Sequence, residues 1–278
     1  MKSKVWYVTG ASKGLGLAIV KKLLKQGYRV AATSRNLNDL QKAVGTASDT
    51  FLPLAVDLKN ETSVDKSIKE TVAHFGSVDV IVNNAGYGLS GSLEELSDEE
   101  IRQNFDVNVF GALNVIRKVL PFMRKQKSGH IFNVASVAGF TGAFPGFGSY
   151  TGTKFAMHGF SESLSAEVKP FNIKVTIVSP GYFRTEFLDA SLAGPKNEIA
   201  DYKLVRDVEQ LHINEYNHNQ IGDPDKAADV LIEVAEQKES PLHLFLGKDA
   251  YQFADAKIKA VQQDMNAVKE LATSTDFE

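Results

Sequence analysis

The chain has 278 residues, 43% hydrophobic and 23% charged, with a formal net charge of −3. That is the balance of a globular chain with ample material for a core, and it offers no basic field to nucleic acid or an anionic membrane. The absence of cysteine excludes disulfides, thiolate metal sites and a cysteine nucleophile. The six histidines are scattered, none as a His-x-x-x-His pair, so no metal site is read from them. No leader and no apolar run of spanning length stands out, and a cytoplasmic protein is expected.

Val5 to Thr9 reads as a buried strand. It runs into Gly10-Ala11-Ser12-Lys13-Gly14-Leu15-Gly16 and then a helix with Leu17, Val20, Leu23 and Leu24 on one side, closed by Gly27. Strand, glycine turn and helix are the context a dinucleotide loop requires. Gly10 permits the tight turn, Gly14 lets backbone N–H groups approach a pyrophosphate, and Gly16 allows close helix packing. Tyr28 to Ser34 is the second strand. An NAD site wants a carboxylate near its end for the ribose 2′-OH. The chain places Ser34 and Arg35 there instead, with Lys13 as a second cation in the glycine loop. A guanidinium suits a 2′-phosphate, so NADP(H) is the expected cofactor.

Further strands are read at Phe51 to Val56, Val78 to Val82, Gly129 to Ala135, Lys174 to Val178 and Leu242 to Leu246. Helices are read at Thr62 to Phe75, from the Ser97–Glu100 capping box onward, from Tyr150 to about Lys169, and at Asp225 to Gln237. The alternation implies an α/β fold, a doubly wound parallel sheet of Rossmann type with about seven strands and helices on both faces. Tyr150 and Lys154, four apart on a helix, share one face. A neighbouring cation favours the ionised phenol, so Lys154 is expected to lower the Tyr150 pKa and make it a usable acid or base. A lone Tyr-x-x-x-Lys match reads more simply as two neighbours on a solvated face.

The motifs taken in order change that balance. Thr9-Gly10-x-x-x-Gly14-x-Gly16, Asp57, Asn83-Asn84-Ala85-Gly86, Asn108, Ser136, Tyr150, Lys154 and Pro180-Gly181 together resemble the classical short-chain dehydrogenase/reductase family over roughly residues 4 to 246. The resemblance implies a nicotinamide-dependent oxidoreductase acting on a carbonyl/alcohol pair. It implies catalytic roles for Asn108, Ser136, Tyr150 and Lys154, the asparagine helping to hold a relay water. It implies cofactor contacts from Gly10, Ser12, Lys13, Gly14, Leu15, Gly16, Ser34, Arg35, Asp57, Leu58, Asn84, Ala85, Gly86, Tyr150, Lys154, Pro180, Gly181 and Thr185. The gap from Ser136 to Tyr150 is one residue longer than the common family spacing, with the extra residue assigned to the loop Phe140 to Gly148.

Ser136, Phe144, Phe147, Tyr150, Tyr182 and Phe187 are read as substrate-binding, with Phe144, Phe147, Tyr182, Phe183 and Phe187 suggesting an apolar wall. Residues 187–222 read as a lid and 247–278 as a helical extension of a single domain. Phe253, Ile258, Val261, Met265 and Val268 fall on one side of that extension and are expected to dock on the chain's own core. A small-molecule carbonyl or alcohol is the expected partner, with a monomer or homodimer as the expected assembly. A non-catalytic NADP(H)-binding sensor is the competing reading, and it would commonly lack the Tyr or the Lys retained here. A sugar-nucleotide epimerase or dehydratase would typically carry Gly-x-x-Gly-x-x-Gly, which this loop lacks.

Overall fold

The computed structural model describes residues 3–277. Its strands are β1 (Val5–Val8), β2 (Arg29–Ser34), β3 (Phe51–Ala55), β4 (Val80–Asn83), β5 (Gly88–Leu89), β6 (Gly129–Val134), β7 (Ile173–Pro180), β8 (Leu192–Ala193) and β9 (His243–Leu246). Its α-helices are α1 (Gly14–Lys25), α2 (Leu37–Val44), α3 (Glu61–Phe75), α4 (Asp98–Phe105), α5 (Gly111–Gln126), α6 (Gly148–Val168), α7 (Lys203–Leu211), α8 (Pro224–Glu236), α9 (Lys248–Ala267) and α10 (Lys269–Thr273). The expected fold class is the observed one. Seven strands form a parallel sheet in the order β3-β2-β1-β4-β6-β7-β9.

Alternation along β1 divides the core. Trp6 and Val8 pack with α1 and α8 through Ile19, Leu23 and Leu231. Val5 and Tyr7 face the other way, onto α3 and α5 through Val64, Ile68, Val115 and Val119. Both faces are covered, which is why the strands read as continuous apolar runs. After β1 the chain builds outward to β3, then returns to place β4 on the other side of β1. The reversal opens a crevice at the carboxyl ends of β1 and β4, where ligands of such sheets bind.

Local signals account for several boundaries. Ser97 caps α4 reciprocally with Glu100, as the sequence pattern predicts. Asn36 caps α2 by accepting from the N–H groups of Asn38 and Asp39. The sequence reading has no helix at α2, although Leu37, Leu40 and Val44 carry a helical period; the helix is only eight residues long and buries only Leu40. The long helix expected after Ser97 is interrupted by a π turn at Asp106–Phe110 before α5 continues. The expectation for the C-terminal extension is not met. Only Ala250 and Ala254 are buried on α9, and Ile258 and Met265 are 58% and 61% exposed. Of the predicted stripe, Phe253 meets Phe144 at 5.5 Å between ring centres, while Ile258, Val261 and Met265 line an open groove with Phe140 and Phe155. No helix among the described residues is long and apolar enough to cross a membrane.

Candidate active site

The crevice holds a cavity of about 860 Å³. Its cofactor end is built by β1 and the start of α1. Gly10 and Gly14 have φ of +65° and +57°, a region that favours glycine. A Cβ on Gly10 would also stand 2.7 Å from the Ala85 Cα. No side chain caps the first turn of α1, so its N–H groups and the positive end of the helix dipole are available to an anion. Gly16 does not line the cavity. It acts one layer behind, where a Cβ would meet the Asn84 amide and the Gly10 carbonyl at 2.5 Å.

The neighbouring strand ends are tied to this loop. Thr9 Oγ1 accepts from the main-chain N–H of Asn84 and of Ala85, both at 3.0 Å. The Asn84 amide donates back to the carbonyls of Thr9 and Gly10. Ser34 donates to the Ser12 hydroxyl at 3.2 Å. Arg35 lines the cavity, is exposed, and has no side-chain hydrogen bond or salt bridge among the described residues. Lys13 also lines it, but its Nζ donates to the Ala190 carbonyl of the lid at 2.9 Å. Asp57, Leu58, Gly86, Leu15, Pro180, Gly181 and Thr185 complete this end. Gly181 is required by the Asp249 carboxylate, which lies against it and accepts from the Tyr182 N–H at 2.6 Å.

Ser136, Tyr150 and Lys154 meet at the junction with the substrate end. Ser136 lies two residues beyond β6 and caps the 3-10 turn Val137–Gly139, its hydroxyl accepting from the Ala138 N–H at 3.1 Å. Tyr150 and Lys154 lie on the first turns of α6. That helix is aligned by a buried chain, in which Asn83 donates to Asn133 and Asn133 donates to Ser161, both at 2.8 Å. Lys154 is 4% exposed, donates to the Val134 carbonyl at 2.9 Å, and its Nζ stands 5.7 Å from the Tyr150 ring centre.

The expected lowering of the Tyr150 pKa by Lys154 is not what this arrangement produces. Burial pushes the phenol up to about 12, with only the Ser136 side chain hydrogen bond working against it. Burial also pushes the lysine down to about 7. Desolvation outweighs the pair's attraction because the ammonium is spent on a carbonyl and approaches the ring rather than the hydroxyl.

Asn108 is fully buried in the π turn and, contrary to a direct catalytic placement, does not line the cavity. Its Oδ1 accepts from the Tyr87 N–H at 3.0 Å, and its amide donates to the Tyr87 carbonyl and to Thr153 Oγ1. It sits directly behind Gly86 and Lys154, since a Cβ on Gly86 would stand 3.0 Å from Asn108 Oδ1 and 3.6 Å from Lys154 Nζ. A widened helical turn at such a place is a common accompaniment of function.

Phe144, Phe147, Tyr182 and Phe187 all line the same cavity. The segment 187–222 contributes to its wall and runs through one 3-10 turn, the short strand β8, the helix α7 and a second π turn at His212–Tyr216. β8 pairs in parallel with β5. A second anchor is Glu95, whose side chain is fully buried. One oxygen accepts from the Ile199 N–H at 2.8 Å, and the other from the Ser92 N–H and from Arg206. The loop that takes the extra residue tucks under α7, where a Cβ on Gly146 would meet Val205 at 2.7 Å.

Sequence reasoning missed Glu95 and His212. A lone Glu or His in a polar segment carries no local signal of burial. The histidines are also less scattered in space than in sequence: His158 and Glu162 on α6 and His243 on β9 bring ligand-type atoms within 4.8 Å of one another.

A family model described as short chain dehydrogenase matches residues 4–195. The chain is 33% identical over 274 residues to Oxidoreductase BOA17 of Botryotinia fuckeliana, covering 98% of this chain and 99% of that one. It is 35% identical over 251 residues to a 3-ketodihydrosphingosine reductase of Bacteroides thetaiotaomicron, covering 89% of each. The crystal structure of a short-chain dehydrogenase from Streptomyces avermitilis superposes with a TM-score of 0.91 at 35% identity, over the whole of both chains.

Proposed function

The chain belongs to the short-chain dehydrogenase family of oxidoreductases, and on that premise we propose that it is an NADPH-dependent reductase of ketones or aldehydes with apolar character. One observation carries the reading. Ser136, Tyr150 and Lys154 lie in the same cavity as a helix start without a side-chain cap and an exposed Arg35 that has no partner among the described residues. The glycine cradle and the exposed guanidinium fit a dinucleotide bearing a 2′-phosphate.

Bound nicotinamide supplies the hydride, and the chain supplies position and protons. The Ser136 hydroxyl accepts from Ala138 and hydrogen-bonds the Tyr150 phenol, and in this reading its proton turns to the substrate carbonyl oxygen and orients it. Tyr150 gives its proton to that oxygen as negative charge grows there. A phenol pushed up to about 12 by burial holds its proton at neutral pH, the form the reducing direction requires of it. Lys154 keeps further N–H donors beyond the one given to Val134, and these serve the ribose hydroxyls. Both N–H groups of the Asn108 amide are committed, to Tyr87 and Thr153, so its carbonyl oxygens are left to hold a relay water. The aromatic wall excludes bulk water from the reacting carbonyl.

The test is a panel of ketones and aldehydes with NADPH, followed by the absorbance of the reduced cofactor. Turnover of several apolar carbonyls is expected. Tight NADPH binding with no turnover on any of them would favour a sensor and end the reductase reading. The long extension in place of a short tail also leads us to propose a monomer or dimer. A tetramer mass by light scattering would overturn that.

A further inference from the structure

We infer that Tyr182 and His212 form a polar anchor in the substrate end of the cavity, one that recognises a hydrogen-bond donor on the substrate. The inference deepens the reductase reading and rests on it. The substrate class is an apolar ketone or aldehyde that also carries a hydroxyl or an amide N–H.

The proton inventory dictates the polarity of the anchor. His212 Nδ1 lies 2.7 Å from the Val208 carbonyl. A carbonyl can only accept, so Nδ1 carries the ring's proton. The ring is buried among Phe147 and Tyr216, at 5.0 and 5.4 Å between centres. Burial lowers its pKa against the effect of the Val208 bond, so it is neutral and Nε2 is an acceptor. Tyr182 Oη is 2.9 Å from that Nε2 and must be the donor. The phenol proton is thereby used. What Tyr182 still offers the cavity is oxygen lone pairs, which only a substrate donor can satisfy.

Two observations separate this from a fastening for the lid. The Tyr182 main chain is already fixed on both sides, its N–H by Asp249 and its carbonyl by the Gly222 N–H at 2.9 Å. His212 opens the π turn, and it and Tyr182 both line the cavity, where a fastening alone would need neither. An aromatic enclosure with one polar group is the usual form of a specificity site.

The experiment compares matched substrates on the cofactor-loaded protein. One pair is a hydroxyketone and its methyl ether, and the other an acylamino ketone and its N-methyl derivative. The parent is expected to favour the donor-bearing member of at least one pair by tenfold or more in kcat/KM, and the responding pair tells hydroxyl from amide. In Tyr182→Phe that ratio should collapse to within about twofold, with the NADPH affinity unchanged. His212→Phe frees the phenol proton, so the ether should gain relative to the alcohol; melting curves establish that both variants fold. A parental ratio near one, or a ratio that survives in Tyr182→Phe, overturns the anchor. Calorimetric binding of the same pairs decides the matter even without turnover. Absence of turnover on every carbonyl with a preserved binding ratio would count against the reductase reading and leave the anchor standing.

Discussion

The Nζ of Lys154 stands 5.7 Å from the centre of the Tyr150 ring while its hydrogen bond goes to the Val134 carbonyl at 2.9 Å. The two catalytic candidates are therefore neighbours whose polar ends are engaged separately. Lys154 is better placed to hold a ligand than to ionise the phenol, and the two can be tested apart.

Tyr150→Phe removes the proton donor and keeps the ring packed against Phe187, 5.8 Å away. Turnover should fall by on the order of a hundredfold or more, as for general acids, with NADPH affinity preserved. Near-parental turnover in steady-state assays would remove Tyr150 from its role.

Lys154→Met bears on stability as well as activity. The lysine is pushed down to about 7 in the fold from an ordinary 10.5. Between those values the unfolded chain holds a proton that the folded chain has released, so this group makes stability rise with pH across that window. Below pH 7 the cost of burying the charge is carried in full. The ligand-free methionine variant should melt higher than the parent, by a wider margin at pH 6 than at pH 9, while losing activity and NADPH affinity. Thermal scans at the two pH values decide it. An equal or lower melting point at pH 6 would show that the buried ammonium is not a burden.

Arg35→Asp tests the cofactor. The parent should prefer NADPH over NADH by at least tenfold in kcat/KM, because a charge-assisted hydrogen bond contributes about 1.5–3 kcal/mol. The aspartate removes that attraction and adds a repulsion. Lys13, bound to Ala190, should retain part of the preference. Equal initial rates with both cofactors in the parent would mean that Arg35 points to solvent.

Glu95→Gln probes the lid. Burial pushes the Glu95 carboxyl up, but main-chain donors at Ile199 and Ser92 and the Arg206 charge hold it below the usual range. A carboxyl with a lowered folded pKa contributes above the ordinary carboxylate range and is lost as pH falls through the lowered value. The amide should loosen residues 187–222, raising KM several-fold with little change in kcat and speeding proteolytic cleavage there. Unchanged KM and cleavage would assign the latch to the β5–β8 pairing alone.

What could be read from the sequence was whatever is set by neighbours along the chain. The glycine loop, the Ser97–Glu100 box and the run of strands are local patterns with a local cause. The lid's course, the burial of Glu95, the Tyr182–His212 contact and the sense of the Tyr150 and Lys154 shifts arise between segments far apart in sequence. Ile258 and Met265 show the converse. Their spacing is a helix period, but periodicity cannot say whether a core lies within reach.

The π turn at Asp106–Phe110 makes length itself part of the specification. A π turn carries a residue more than the α turn it replaces, and each residue of helix is worth about 100° of rotation. α4 and α5 therefore run out of phase with each other. Removing Val107 would let them merge into one uninterrupted helix, swinging the Ser97 cap and Asn104 around the axis and carrying Asn108 away from Tyr87, to whose main chain it is bonded. Every side chain proposed for catalysis would still be present in such a protein. The wall behind Gly86 and Lys154 would be gone, and turnover should go with it. A one-residue deletion in the loop before α6 should be absorbed far more readily. Comparing the two deletions would show where this chain is counted residue by residue and where it is merely spanned.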